Sequence, residues 1–152
     1  MSQTARPGGL NIYFAGAIRG GRDDAELYAT LIHCLKKYGT ILTEHVGNND
    51  LLKEEQFLSE EEIFARDMGW MTGADLVVAE VSTPSLGVGY ELAVAERLKI
   101  PTVCLFRERK GCTLSAMIQG NPFFEVRNYG DRDEAERTIT RLMEDFQKQL
   151  LF

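Results

Sequence analysis

Three short apolar runs constrain the fold of this chain more than any other feature. They are Leu10–Ala15 (LNIYFA), 76–81 (LVVAEV) and 101–106 (PTVCLF). Apolar runs of this length, without alternation and rich in β-branched or aromatic residues, are typical of parallel strands buried on both faces. Helical patterns separate the runs, and strands that alternate with helices predict an α/β domain with right-handed crossovers.

Weaker patterns complete the sheet and its helical layers. Two more strands are predicted at 40–43 and 124–127. Helical patterns occupy 27–38, 59–72, 88–98, 113–118 and Arg132–Leu150. Ser59 and Glu62 have the spacing of a capping box at the start of the second helix. Five parallel strands predict a flavodoxin-like, Rossmann-like sheet in the order 2-1-3-4-5 with helices on both faces.

The segment between the second strand and the second helix has no clear pattern. Residues 46–58 are polar and aperiodic, and we interpret them as a long loop. We interpret residues 1–9 as a flexible N-terminus and 10–152 as a single domain, because 152 residues with 44% apolar composition can build one core.

Composition and charge exclude several classes of protein. A net charge of −6 argues against a nucleic-acid partner, which requires a basic face. No segment reaches the roughly 20 apolar residues that cross a bilayer, and the N-terminus lacks the apolar run of a signal peptide. We therefore expect a cytosolic or nuclear protein without a membrane partner. Three cysteines and two histidines show no zinc-site spacing, so we expect reduced thiols, no metal and no cofactor.

Two glycine-rich loops lie where a sheet of this order binds ligands. That place is the carboxyl edge between strands 1 and 3, where the strand order reverses. The loops are 16–22 (GAIRGGR) and 82–89 (STPSLGVG). Each precedes a helix N-terminus, and the first adds two guanidinium groups, which suits a phosphate. Either loop could instead be a plain turn, with Ser82 or Thr83 capping the helix after the second.

Two carboxylates accompany these loops. Glu91 is predicted in the first turn of the helix after the second loop, where it could simply complement the helix dipole. The same dipole would keep Glu91 ionised, which a nucleophile requires. Asp67 lies on an apolar stripe, because its neighbours at three and four residues are Ile63, Phe64, Trp70 and Met71.

A carboxylate on such a stripe tends to keep its proton and is a candidate for chemistry. The alternative is that Asp67 pairs with Arg66 or reaches solvent. One ionised and one protonated carboxylate beside an anion-binding crevice fit glycoside cleavage, although they also fit other reactions.

Longer strings then identify a family resemblance. They are YFAGAIRGGR, ADLVVAEVSTPSLGVGYELAVA and LSAMIQG, with Asp67 on a helix before a Gly-Trp pair. This combination resembles the 2′-deoxynucleoside 5′-phosphate N-hydrolases of the nucleoside 2-deoxyribosyltransferase superfamily, over about residues 11–129. The resemblance implies that Glu91 attacks C1′ and forms a glycosyl-enzyme, which water opens to free base and 2-deoxyribose 5-phosphate. It implies that Asp67 assists departure of the base and that Tyr13 orients the nucleophile.

The resemblance also implies a substrate-binding set and a homodimer. The positions that would line the nucleotide site are Gly16, Ile18, Arg19, Gly20, Gly21, Arg22, Ser85 and Gly87. Ser115 matches a phosphate-contacting serine that comes from the second subunit, and His45 matches a histidine near the site. By itself, Tyr13 is a common core residue, His45 a common loop residue and Ser115 a helix cap. Ala17 departs from the family's usual serine, and the divergent 47–59 segment leaves the base preference open.

Two other functions fit the same sequence. A deoxyribosyltransferase would move the sugar between free bases and would need no phosphate site. A non-catalytic nucleotide-binding module would keep the loops without needing Glu91, Asp67 and Tyr13.

Overall fold

The predicted five-stranded sheet is present in the computed structural model, which describes residues 9–18, 24–48 and 51–150. The strands are β1 (Leu10–Ala15), β2 (Gly39–Ile41), β3 (Leu76–Glu80), β4 (Thr102–Arg107) and β5 (Phe124–Tyr129). They are all parallel and follow the order β2-β1-β3-β4-β5, which confirms the prediction. The chain therefore leaves β1 toward β2 on one side and reaches β3 on the other, which opens a crevice at their carboxyl ends.

Helices cover both faces of the sheet, as predicted. They are α1 (Ala25–Leu35), α2 (Leu51–Glu55), α3 (Glu60–Thr72), α4 (Leu86–Arg97), α5 (Ala116–Gln119) and α6 (Arg132–Leu150). Successive strand residues point to opposite faces, so Phe14 and Val78 join the core under α1 and α6. Tyr13 and Val77 join the second core, under α3 and α4. Among the described residues, no helix combines the length and apolar character needed to span a membrane.

The prediction that 46–58 is one long loop is wrong. A 3₁₀ helix occupies Glu44–Gly47, and α2 follows at Leu51–Glu55. Among the side chains that the structure describes there, Val46 is 4% exposed and Leu51 is 0% exposed. Two anchors five residues apart are too few to create a helical period in the sequence.

Element boundaries differ from the predictions by a few residues, with one consequence for the site. Helix α4 begins at Leu86, because Ser85 caps it by accepting a hydrogen bond from Val88 N at 3.3 Å. Ser82 and Thr83 are therefore not the cap. The earlier start places Glu91 in the second helical turn, so the prediction of a first-turn glutamate is wrong. By contrast, Ser59 caps α3 as predicted, accepting from Glu62 N at 3.1 Å.

Candidate active site

A cleft of about 620 Å³ opens at the carboxyl ends of β1 and β3, where the strand order reverses. Loop 1, which follows β1, helix α3 and the start of α4 form its walls. Six of the predicted site residues line it: Gly16, Ile18, Asp67, Ser85, Gly87 and Glu91. The topology therefore gathers residues that are up to 75 positions apart in the chain, from 16 to 91, into one cavity.

Tyr13 and Glu91 form a hydrogen-bonded pair at the floor of the cleft. Tyr13, 1% exposed on β1, donates its hydroxyl proton to Glu91 Oε2 on α4. Burial and the neighbouring Glu91 carboxylate hold the pKa of Tyr13 far above its ordinary value, so the phenol remains a donor. The pair joins the sheet to the helix and fixes the orientation of the Glu91 carboxylate.

The electrostatic prediction for Glu91 is wrong in direction. Burial raises its pKa to about 7, and the negative charges of Asp67 and Glu55 add to the rise while the Tyr13 hydrogen bond opposes it. The helix dipole acts mainly within the first turn, and Glu91 lies in the second. Desolvation therefore outweighs the dipole, and Glu91 is ionised fully only above neutral pH.

Asp67 faces the cleft from α3 but is not isolated there. Arg66 Nε donates to Asp67 Oδ1 at 3.0 Å, so the alternative of pairing with Arg66 is the observed one. Burial raises the pKa of Asp67, as expected for the apolar stripe, and Arg66 opposes that rise. The stripe is divided between the cleft, which Ile63 and Phe64 line, and the core, where Met71 is fully buried and Trp70 packs against it.

An ion-pair cluster behind Asp67 was not predicted from the sequence. One terminal nitrogen of Arg66 donates to Glu55 Oε1 at 2.9 Å and to His45 Nε2 at 3.1 Å. The guanidinium also lies over the Trp70 ring, with 5.0 Å from Cζ to the ring centroid. Because a guanidinium only donates, His45 Nε2 is the acceptor in this contact. Glu55 comes from α2, within the segment that we interpreted as a loop.

His45 and Ser115 lie away from the cleft within this chain. His45 is behind Arg66 and borders a separate surface depression. Ser115 caps α5, accepting from Met117 N at 3.3 Å, and lines a second cavity of about 530 Å³. The two cavities share Pro84, Ser85, Leu86 and Val88, so Ser115 lies across that segment from the cleft.

Gly16, Ala17 and Ile18 are the described residues of loop 1, which follows β1. Arg19, Gly20, Gly21 and Arg22 lie outside the described residues. Gly16 is required sterically, because a Cβ there would lie 2.9 Å from the Tyr28 ring. Ala17 is completely buried.

A second buried polar cluster holds the two loops together. Glu80 is completely buried at the end of β3 and accepts from Tyr129 Oη at 2.5 Å and from Ser82 N at 2.6 Å. Arg107, at the end of β4, donates to both carboxylate oxygens of Asp24 at 2.8 and 3.0 Å, and its backbone N donates to Ser82 Oγ. Asp24 is the N-cap of α1, just after loop 1, and Ser82 begins the loop before α4. The cluster therefore links both sides of the cleft. The sequence feature that could have indicated this cluster is Glu80, a glutamate inside the apolar run LVVAEV.

Comparison with known proteins places this site in a family. The sequence profile of nucleoside 2-deoxyribosyltransferases matches residues 12–148. The chain belongs to this family. It is 45% identical to a 5-hydroxymethyl-dUMP N-hydrolase of Danio rerio, over 91% of this chain and 99% of the relative. It is 43% identical to the protein of that name from Rattus norvegicus, over 98% and 94% of the two chains, and 42% identical to that from Homo sapiens, over 93% and 84%.

Membership of the family confirms the resemblance drawn from the motifs. The two motifs that contribute most, YFAGAIRGGR and STPSLGVGYEL, contain the strand end and the helix start that form the cleft. The roles of the individual residues stay predictions.

Proposed function

We propose that this chain hydrolyses the N-glycosidic bond of 2′-deoxynucleoside 5′-monophosphates to a free base and 2-deoxyribose 5-phosphate. The observation that carries the proposal is the pair of Tyr13 and Glu91, which shares a cleft with Asp67 and with the N-terminus of α4. The names of the relatives support N-glycosidic cleavage of a deoxynucleotide. They make 5-hydroxymethyl-dUMP the first substrate to test.

Glu91 is the proposed nucleophile. Tyr13 occupies Oε2, so we assign the attack on C1′ to Oε1. As the Oε1–C1′ bond forms, the C1′–N bond breaks and its electron pair leaves with the base, which takes a proton from solvent. Water then attacks C1′ and releases a proton to solvent, and Glu91 leaves as a carboxylate. Asp67, across the cleft, orients the sugar and assists departure of the base.

The phosphate site is proposed at the start of α4. Ser85 Oγ accepts from Val88 N, which leaves its own proton for a phosphate oxygen. The first N–H groups of a helix have no partner inside the helix and favour an anion. Gly87 also lines the cleft, where the absence of a side chain leaves space for the ligand. We propose that Ile18, Arg19, Gly20, Gly21 and Arg22 complete this wall and that His45 acts from behind it.

A homodimer would complete the site with Ser115 of the second subunit. In support, the second cavity is flanked by apolar side chains that are almost fully exposed, Leu86 at 97% and Met117 at 80%. Exposed apolar patches of this kind mark protein interfaces. We also propose a cytosolic or nuclear location, where a deoxynucleotide substrate is found.

Mixed dimers test the contribution of Ser115. Ser115→Ala should raise KM about tenfold, the typical effect of losing a hydrogen bond to a charged group. A heterodimer of Ser115→Ala and Glu91→Gln subunits, purified through two different tags, contains one site with both residues intact. We expect that site to show the wild-type KM. A KM equal to that of the Ser115→Ala homodimer, or failure to form any heterodimer, would contradict the proposal.

A substrate panel tests the reaction itself. The protein is incubated with 5-hydroxymethyl-dUMP, the common deoxynucleoside monophosphates, a ribonucleotide and the matching deoxynucleosides, and free base is measured by chromatography. We expect base release from the deoxynucleoside monophosphates, and none from a Glu91→Gln control. Faster turnover of deoxynucleosides, with transfer of the sugar to an added base, would indicate a transferase. Tight binding measured by calorimetry, without cleavage, would indicate a binding module.

A further inference from the structure

Arg66 lies between two acidic side chains, Asp67 and Glu55. The proposed reaction gives Arg66 no role of its own. Its Nε donates to Asp67 Oδ1 at 3.0 Å, and its terminal nitrogen donates to Glu55 Oε1 at 2.9 Å. Trp70 lies beneath the guanidinium plane, and His45 Nε2 accepts from its edge. Four neighbours from three elements therefore restrict the orientation of this arginine.

Arg66 acts from behind the cleft. Asp67 and Glu55 are among the described residues that line the cavity, but Arg66 is not. The guanidinium therefore does not form the described wall, and any effect on the reaction must pass through Asp67. Glu55 is 8% exposed, so its carboxylate is a buried, fixed anchor for the opposite side of the arginine.

Among the described residues, the charged and titratable groups that face Asp67 come from three helices and from β1. Arg66 on α3 is positive, Glu55 on α2 and Glu91 on α4 are acidic, and the Tyr13 hydroxyl on β1 bonds to Glu91. Arg66 is the one cation among these groups. It neutralises part of an acidic cluster in which Glu55 raises the pKa of Asp67, and both carboxylates raise the pKa of Glu91.

We propose that Arg66 is a positioning residue that fixes the Asp67 carboxylate for catalysis, with Glu55 as its anchor. The inference rests on the proposed function, because it assigns Arg66 a role in that reaction. It also predicts that lysine cannot replace Arg66. A guanidinium holds two carboxylates with separate N–H groups in a fixed plane and can lie flat over Trp70, whereas an ammonium is a point charge on a flexible stem.

Two variants separate the charge of Arg66 from its geometry. Arg66→Gln removes both, so kcat should fall about 10- to 100-fold at pH 7, in line with misplacement of a catalytic group. The limb of the pH profile of kcat that reports Asp67 should also move to higher pH, because the pKa of Asp67 rises when Arg66 no longer opposes burial. Arg66→Lys should return that limb toward its wild-type position without restoring kcat.

Glu55→Gln should shift the pH profile of kcat in the opposite direction. It removes a negative charge that raises the pKa values of both Asp67 and Glu91, so the acidic limb should move to lower pH. Arg127→Gln is the matched control, since Arg127 also joins two carboxylates, Glu125 and Asp145. The Arg127 side chain is about as exposed as that of Arg66. The control should keep the wild-type profile.

A carboxyl ¹³C NMR titration of Asp67 makes the inference testable without turnover. The expected result is a higher pKa of Asp67 in Arg66→Gln and a lower one in Glu55→Gln, both in proteins with native spectra elsewhere. An unchanged pKa of Asp67 together with superimposable pH profiles would overturn the proposal. Absence of base release by the wild-type protein would refute the proposed function instead. The titration would still show whether Arg66 and Glu55 set the pKa of Asp67.

Discussion

Replacing Glu91 with glutamine is expected to abolish base release while increasing the stability of the fold above neutral pH. The loss of rate follows from the removal of the nucleophile, and at least three orders of magnitude in kcat are expected. Glutamine has the same shape as glutamate and keeps an amide oxygen that can accept the Tyr13 proton. The variant should therefore bind substrate with a nearly unchanged dissociation constant.

The gain in stability follows from the raised pKa of Glu91. Its ordinary value is 4.5, and burial raises it to about 7 in the folded chain. Folding therefore favours the protonated form, so this contribution to stability is fully present below pH 4.5 and is lost as the pH rises through about 7. Above that pH, the free energy of unfolding is lower by about 3 kcal/mol. Glutamine cannot ionise and avoids this cost.

Thermal unfolding of wild type and Glu91→Gln at several pH values checks this result. The variant should unfold at a higher temperature at pH 8, and the two proteins should converge near pH 4.5. Glu96→Gln, an exposed change on the same helix, is the control and should follow wild type. Equal stability at pH 8 would contradict the desolvation of Glu91, and substantial base release by the variant would contradict its role.

Replacing Asp67 with asparagine is expected to give the second-largest loss of activity. The side chain keeps its shape and its oxygen acceptor for Arg66 Nε, but loses the ionisable group that assists departure of the base. A loss of about 10²- to 10⁴-fold in kcat is typical when an acid–base group is removed. The remaining acidic limb should move to lower pH, because Asp67 is one cause of the raised pKa of Glu91.

Steady-state kinetics across pH, with Asp145→Asn as the control, test this expectation. Asp145 pairs with an arginine as Asp67 does, but on the distant surface of α6. We expect the control to retain wild-type kcat. Near-normal turnover by Asp67→Asn would show that Asp67 has no part in the chemistry.

The sheet and the place of the cleft were predictable because both depend on short-range patterns. Strands buried on both faces require continuous apolar runs, and such runs are visible in the sequence. The strand order then places the ligand crevice at one edge, so loops 16–22 and 82–89 were identified before any side-chain geometry. Asp67 was also visible, because a carboxylate on an apolar stripe breaks a helical pattern.

The features that escaped prediction depend on contacts between distant segments. Three hydroxyl residues in STPS could cap α4, and Ser82 is excluded only because Glu80 and Arg107 engage it. Glu55 lies in a segment anchored by one buried leucine, so its sequence neighbours do not indicate its position beside Arg66. The pKa of Glu91 depends on burial by several elements, whereas the sequence shows only its position along one helix.

The most direct test of the central claim is the stereochemistry at C1′ when methanol competes with water. Attack by Glu91 followed by attack of methanol inverts C1′ twice, so a β-configured deoxynucleotide should give the β-methyl glycoside of 2-deoxyribose 5-phosphate. NMR spectroscopy of the trapped product distinguishes the two anomers. The β anomer is the predicted result. The α anomer would show a single displacement without a covalent intermediate and would contradict the role assigned to Glu91.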